Sequence, residues 1–410
     1  MAKILIKNIK GLVQAGENIP AVRKGSQMQE LDVMEDAYLA LEDSEVIGYG
    51  LMNDWEGIID WRDVEIIDAE GCFVLPAFID SHTHSVFAKT REEEFVDRIH
   101  GLSYEEIAAK GGGILNSARK LAALSEDELY EAAKIRVEKI IQSGTGALEI
   151  KSGYGLSLEG ELKMLRVIKR LKENMPISIK ATFLGAHAYP VAFKENKRGY
   201  IDLLIDEMLP IIQKENLADY IDVFCERNYF SVDEMEEILK AGIAIGLKPK
   251  VHVNQFSILG GVKKAIELGA ISVDHLEEID DQDLEALKNS TSIPTLLPGC
   301  SHFLSIPYGD ARRIISAGLP LALASDFNPG SSPNYHLMTI LSLACVKQKM
   351  TPEEAINALT INAAAAVELS DTHGKIALGR RSPILMTKEI PSLAYLAYAF
   401  GEDHVQRIFL

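Results

Sequence analysis

The alternation of apolar and polar residues divides the chain into three parts. Short β-like runs open it: "KILIKNIKGLV" from Lys3 and "AYLALEDSEVIGYG" from Ala37, the second broken by a turn at "EDS". "VEIIDAEGCFVLPAFID" follows and ends at Asp80. From about residue 73 apolar runs alternate with helical stretches. Eight runs read as strands: "FVLPAFID", "GALEIKS", "SIKATFLGA", "YIDVFCE", "KPKVHVN", "AISVDHL", "SIPTLLP" and "LPLALASD". Charge-rich amphipathic stretches such as "SEDELYEAAKIRVEKIIQSG" and "DEMEEILKAGIAIG" separate most of them. From about residue 372 the pattern turns β-like again, in "KIALGRRSPILM" and "DHVQRIFL".

This order predicts an α/β fold, a TIM-like (β/α)8 barrel over residues 73–371, with a doubly wound sheet as the structural alternative. The two β-rich ends, residues 1–72 and 372–410, are expected to pair into one small β-sandwich domain. Composition agrees: of 410 residues, 47% are hydrophobic and 25% charged, ample for a large core. No apolar run reaches membrane-spanning length. The start, "MAKILIKNIKG", lacks the long apolar stretch of a signal peptide. Cys72, Cys225, Cys300 and Cys345 form no CxxC pair and read as reduced thiols, so a cytoplasmic location is expected. A net charge of -18 argues against nucleic acid and anionic membranes as partners. It also makes any arginine near a site worth following, because an anionic substrate needs local positive charge.

The first barrel strand runs into "DSHTHSVFAKTREEEF". His82 and His84 are two apart, so on a strand they face one side together. They lie at its C-terminal end, where barrel active sites sit. An isolated HxH is more often a polar strand terminus than a metal site. Here, however, five of the ten histidines fall at or just beyond strand ends: His82, His84, His187, His252 and His275. The eighth run, "ALASDFNPGSS", delivers Asp326 to the same rim. Imidazole and carboxylate together suit a borderline divalent cation such as zinc or ferrous iron.

With "GLSYEEIAAKGGGI", "EIKSGYGL", "TFLGAHAYP", "DVFCE", "SVDHLEE", "LLPG" and "SDFNPGSSP", the chain resembles the metal-dependent amidohydrolases, and among them the imidazolonepropionase family, over nearly its whole length. HxH alone marks only the superfamily; "EIKSGYGL" with "DFNPGSS" is far more specific. The resemblance implies metal ligation by His82, His84, His252 and Asp326. It implies hydrolytic opening of 4-imidazolone-5-propanoate to N-formimidoyl-L-glutamate, with His275 and Asp326 as candidates for proton transfer. Arg91, with Tyr104 and Tyr154, is implied as the grip on the substrate propionate; otherwise Arg91 reads as a surface arginine paired in "KTREEEF". His187 and Gln255 are expected at the ring. Asn328, Gly330 and Ser331, beyond Asp326, are expected to contact substrate through polar side chains and close backbone. A homodimer is also implied.

Departures matter too. Binuclear relatives bridge two ions with a carboxylated lysine on strand four, but "DVFCE" has none, so one zinc or iron ion is expected. Lys151 follows strand two and is expected to face elsewhere. Many cyclic deaminases carry glutamate where this chain has Gln255, and an amide cannot serve as a general acid near neutral pH. That weakens a deaminase, the first alternative; a non-catalytic metal-binding protein is the second. Near the C-terminus many amidohydrolases read like "GKDADLVI" where this chain has "GRRSPILM". "GGG" at 111–113 lacks the GxxxxGK[ST] phosphate pattern and reads as an entrance loop.

Overall fold

A computed structural model describes residues 3–55, 63–102, 106–107 and 110–410. Both chain ends build a mixed seven-stranded sheet. Its strands are β1 (Lys3–Val13), β2 (Val33–Glu42), β3 (Glu45–Leu51), β4 (Val64–Asp68) and β5 (Cys72–Pro76), and, from the C-terminal end, β14 (Ile384–Glu389) and β15 (Val405–Phe409). The β2–β3 hairpin turns through Asp43 and Ser44, both at positive φ, the geometry that matches strand twist in a two-residue loop. β1 pairs β2 on one edge; on its other edge it pairs first β4 and then β5. The register shifts between Ile6 and Ile9, with Asn8 at φ 54, and this bulge lets one strand serve both partners. Ile6, Ile9, Leu12, Leu39, Val74, Ile384 and Phe409 share one apolar cluster within this unit.

The other sheet is the barrel: β6 (Phe78–Thr83), β7 (Thr145–Lys151), β8 (Ser178–Ala186), β9 (Tyr220–Cys225), β10 (Lys248–Val253), β11 (Ser272–His275), β12 (Ile293–Leu296) and β13 (Ala322–Leu323). They pair in parallel in chain order, and bonds between first and last strands close the ring. Asp326 N donates to His82 O at 3.0 Å, and His84 N donates to Phe327 O at 2.8 Å. "FVLPAFID" is therefore two strands, not one. Its first half stays in the terminal sheet, so the boundary read at residue 73 falls inside β5, and the break at Ala77 passes the chain to the barrel.

The connecting helices start where their caps dictate. Ser125 with Glu128 and Ser231 with Glu234 make capping boxes before the helices Glu126–Gln142 and Val232–Ala244. The last strand is shorter than "LPLALASD" suggested because a carboxylate replaces its ladder: Ser325 N donates to Asp80 Oδ1 at 3.0 Å.

Candidate active site

His82 lies next to the end of β6, His252 lies on β10, His275 ends β11, and Asp326 follows β13, so all meet at the C-terminal rim. The ligand-capable atoms of His82, His84 and His252 lie within 4.8 Å of one another. Asp326 Oδ1 is 3.4 Å from His84 Nε2 and 3.6 Å from His82 Nε2.

Two carboxylates beneath the rings fix their orientation. His82 Nδ1 is 2.7 Å from Asp274 Oδ2, and His252 Nδ1 is 2.8 Å from Asp222 Oδ2. A carboxylate only accepts, so each neutral ring carries its proton at Nδ1 and presents a lone pair at Nε2. Both Nε2 atoms, and His84 Nδ1, are buried without a hydrogen-bond partner among the described residues. Buried acceptors left this way cost free energy, which a cation among them would relieve. Burial, next to the Lys151 charge, holds the His82 pKa well below its ordinary value. Burial likewise brings His84 down to about 4, against the pull of Asp326. Metal ligation requires neutral imidazole. The donor set therefore fits a divalent cation.

His275 is different. Burial lowers its pKa, but Glu277, 3.4 Å from Nδ1, outweighs this and the net shift is upward. Burial would raise the Asp326 pKa, yet its hydrogen bond to His84 and the neighbouring imidazoles hold it below the usual carboxylate value. His275 and Asp326 also sit at φ 89 and φ 52, backbone that a non-glycine residue rarely adopts outside a site that needs it.

Lys151 does not face elsewhere. It is fully buried under the histidines, with Nζ 2.8 Å from Glu149 and 2.9 Å from Asp222. Burial alone would lower its pKa; Glu149, Asp222 and Asp274 reverse this and keep it charged.

Across a small cavity from the histidines stands Arg91. It is 5% exposed, not the surface arginine of the alternative reading. Its Nε and Nη1 have no hydrogen-bond partner among the described residues. Glu94 approaches Nε only to 3.8 Å, being occupied by Gly113 N at 3.1 Å and Asn116 Nδ2 at 2.8 Å. Gly113 thus puts the end of the triple glycine at the arginine. Gly330 explains how Arg91 is seated: a Cβ there would lie 1.3 Å from Nη2, so any side chain would push the guanidinium out of this position. Arg98 Nη2, donating to Gly330 O at 2.9 Å, pins the same loop.

Tyr154, His187, Gln255, Asn328 and Ser331 also line the cavity. The His187 Nδ1 lies 3.0 Å from Gly153 O, which fixes the proton there and turns an acceptor Nε2 outward. Gly153 reaches this position at φ 106, and a Cβ would meet that ring at 2.8 Å. Gln255 Nε2 donates to Cys300 Sγ at 3.3 Å. Asn328 is committed to its own loop, accepting from Gly330 N and Ser331 N and donating to Asp326 O and Ser331 Oγ. Gly330 brings backbone against Arg91 rather than onto the cavity wall. Tyr104 lies outside the described residues.

Sequence reading missed the groups behind these side chains: Asp222, Asp274, Lys151, Glu277 and Glu161. Glu161 takes the N–H groups of Gly153, Gly155 and Leu156 at 3.0, 2.7 and 2.9 Å and so shapes the loop carrying Tyr154. A signal was available for two of them. "YIDVF" and "ISVDH" each set a carboxylate inside an otherwise apolar strand, where aspartate is disfavoured without a partner.

The family model described as "Amidohydrolase family" matches residues 73–406, and the chain belongs to that family. Its relatives narrow the class. An imidazolonepropionase of Flavobacterium johnsoniae is 55% identical, covering 99% of this chain and 98% of the relative. One from Thermoanaerobacter pseudethanolicus is 39% identical, covering 99% and 96%. These place the chain among the imidazolonepropionases. Among solved structures, an adenosine deaminase from Xanthomonas campestris with bound zinc has TM-score 0.71 at 12% identity, covering 100% of this chain and 92% of that one. A triazine hydrolase variant reaches 0.74 at 12% identity, covering 100% and 93%. At such identity the likeness is one of fold. No helix among the described residues is long and apolar enough to cross a membrane.

Proposed function

We propose that the protein opens the ring of 4-imidazolone-5-propanoate with water, giving N-formimidoyl-L-glutamate in histidine degradation. The observation that carries this is Arg91: a buried guanidinium whose Nε and Nη1 are without a hydrogen-bond partner among the described residues faces buried histidine lone pairs across one small cavity. A substrate joining a hydrolysable ring to a carboxylate satisfies both ends. Full-length similarity to imidazolonepropionases supports the same reading.

His82, His84, His252 and Asp326 would hold a single divalent ion, zinc or iron. When bound, such an ion supplies Lewis-acid chemistry, polarising a carbonyl and lowering the pKa of water. Arg91 holds the propionate by charge-assisted hydrogen bonds, with Tyr154 on the same cavity wall. The His187 Nε2 accepts from a ring N–H, and Gln255 hydrogen-bonds the ring. Ser331 borders the substrate, while Asn328 and Gly330 shape the wall and seat Arg91. Water adds to the ring carbonyl carbon, and the adjacent ring C–N bond breaks. His275 and Asp326 move the proton from the water to the departing nitrogen. Gln255 has no proton to contribute at neutral pH, which favours ring opening over deamination.

The excess of acidic residues supports the absence of nucleic-acid partners, the unpaired cysteines support a cytoplasmic location, and the resemblance to the imidazolonepropionases supports a homodimer. The test is consumption of imidazolone propionate by purified protein of measured metal content. Stoichiometric formimidoylglutamate, lost on chelation and restored by zinc or ferrous iron, is expected; no turnover with metal bound would refute the reading.

A further inference from the structure

We propose that Lys151 is a positioning residue for the ion site: its ammonium holds Asp222 and Asp274 in place, and through them the rings of His252 and His82. This rests on the reading of those histidines as metal ligands. Inside a barrel, side chains from alternate strands pack in layers, usually of branched apolar residues. Here Lys151, Asp222 and Asp274 come from β7, β9 and β11, and all are buried. The layer under the histidines is ionic instead.

Lys151 Nζ lies 2.9 Å from Asp222 Oδ2 and 3.9 Å from Asp274 Oδ2, the two oxygens that meet His252 Nδ1 and His82 Nδ1. One cation thus stands behind two separate carboxylate–histidine pairs. Lys250 provides a comparison within the same core. It is equally buried and lies 3.8 Å from Asp274 Oδ2, as near as Lys151 does, but among the described residues it makes no ion pair with Asp222, and it is committed to Ser272 Oγ at 2.6 Å and Ala366 O at 3.0 Å. Without the Lys151 charge, Asp222, Asp274 and Glu149 repel one another in a medium that screens poorly, and the rings lose the supports that aim their Nε2 atoms.

The experiment is zinc titration of metal-stripped full-length protein against a chromophoric chelator. Wild type is expected to bind one zinc. K151M is expected to lose about 10–100-fold in affinity, the usual cost of removing an outer partner of a ligand. E149Q and K250M are each expected to stay within about threefold, a margin below that cost. K151M orphans Glu149 and could fail to fold, so E149Q/K151M removes both charges and is expected to carry the same affinity loss. At saturating zinc, kcat should recover and KM should match wild type. A purely structural role predicts a lower Tm with unchanged zinc affinity. Wild-type affinity in K151M or in the double variant overturns the proposal, as does an equal loss in K250M or a kcat that stays low with zinc bound. Failure of wild type itself to bind zinc or ferrous iron is a distinct result and removes the ligand reading beneath it.

Discussion

The two ends of the cavity are built in opposite ways. At the histidine end the side chains stand on strand ends, and carboxylates and a lysine behind them leave only lone pairs facing inward. At the arginine end the groups stand on loops, a guanidinium rests on a glycine, and N–H donors face inward. One end calls for a cation, the other for an anion. The first is held by a buried charge network from several strands, the second by the fit of one side chain against one loop. Damage should therefore spread differently: at the histidine end into metal content, at the arginine end into substrate choice alone.

The largest expected effect is at a ligand. His252→Ala removes one lone pair and leaves Asp222 without its ring. Removing an outer partner costs about 10–100-fold in metal affinity, and a ligand itself more. Metal content should fall below stoichiometry by elemental analysis, with turnover at background. A variant with full metal and full turnover would show that His252 belongs to the wall rather than to the ion.

His275→Ala comes next. The group sits beside the ligands but is proposed to move protons, so metal should stay while turnover falls by about 10²–10⁴-fold. Near-normal turnover at matched metal content would mark His275 as a core histidine. This variant separates chemistry from ligation within the same end of the cavity.

The histidine end was legible because strand periodicity and rim position are sequence properties: HxH, "VHVN", "VDH" and "SD" each fall at the end of an apolar run. Its foundation was less legible. Lys151 lies two residues from Glu149 on one strand face, but nothing local shows that this face points to Asp222 and Asp274 on other strands. The barrel itself was readable from eight alternations. The Ala77 break was not, because the unbroken apolar run from Cys72 to Ile79 looks like one strand until its partners are known. At the arginine end, "KTREEEF" gave the residue but not its burial, and Gly330 gave a flexible position but not the side chain it admits.

Arg91→Met tests the second end. Methionine keeps much of the stem packing and removes the charge. A shielded charge-assisted contact is worth roughly 1.5–3 kcal/mol, so kcat/KM for the propionate substrate should fall at least about tenfold. An imidazolone lacking the carboxylate should be poor for wild type and lose little more in the variant. Metal content should not change. Equal losses on both substrates would assign Arg91 to the structure of the site, and no loss on either would move the carboxylate partner elsewhere.

The smallest expected effect is Gly330→Ala, and it asks whether the arginine end depends on a fit. The added Cβ would fall 1.3 Å from Arg91 Nη2, so the guanidinium must swing or the loop must shift. The charge survives, so the loss in kcat/KM should be no greater than the roughly tenfold of Arg91→Met. It should appear as a raised KM for the propionate substrate alone. The decisive measurement is a double-mutant cycle. In the Arg91→Met background the flexible methionine has no fixed geometry to lose, so Gly330→Ala should add little, and a coupling energy of about 0.5 kcal/mol or more is expected for residues in contact. Additive losses would mean that Gly330 acts on the substrate through its own backbone. A fall in metal content would carry the effect through Asn328, which bonds both the Gly330 N–H and the Asp326 carbonyl, and would join the two ends of the cavity that the structure otherwise keeps apart.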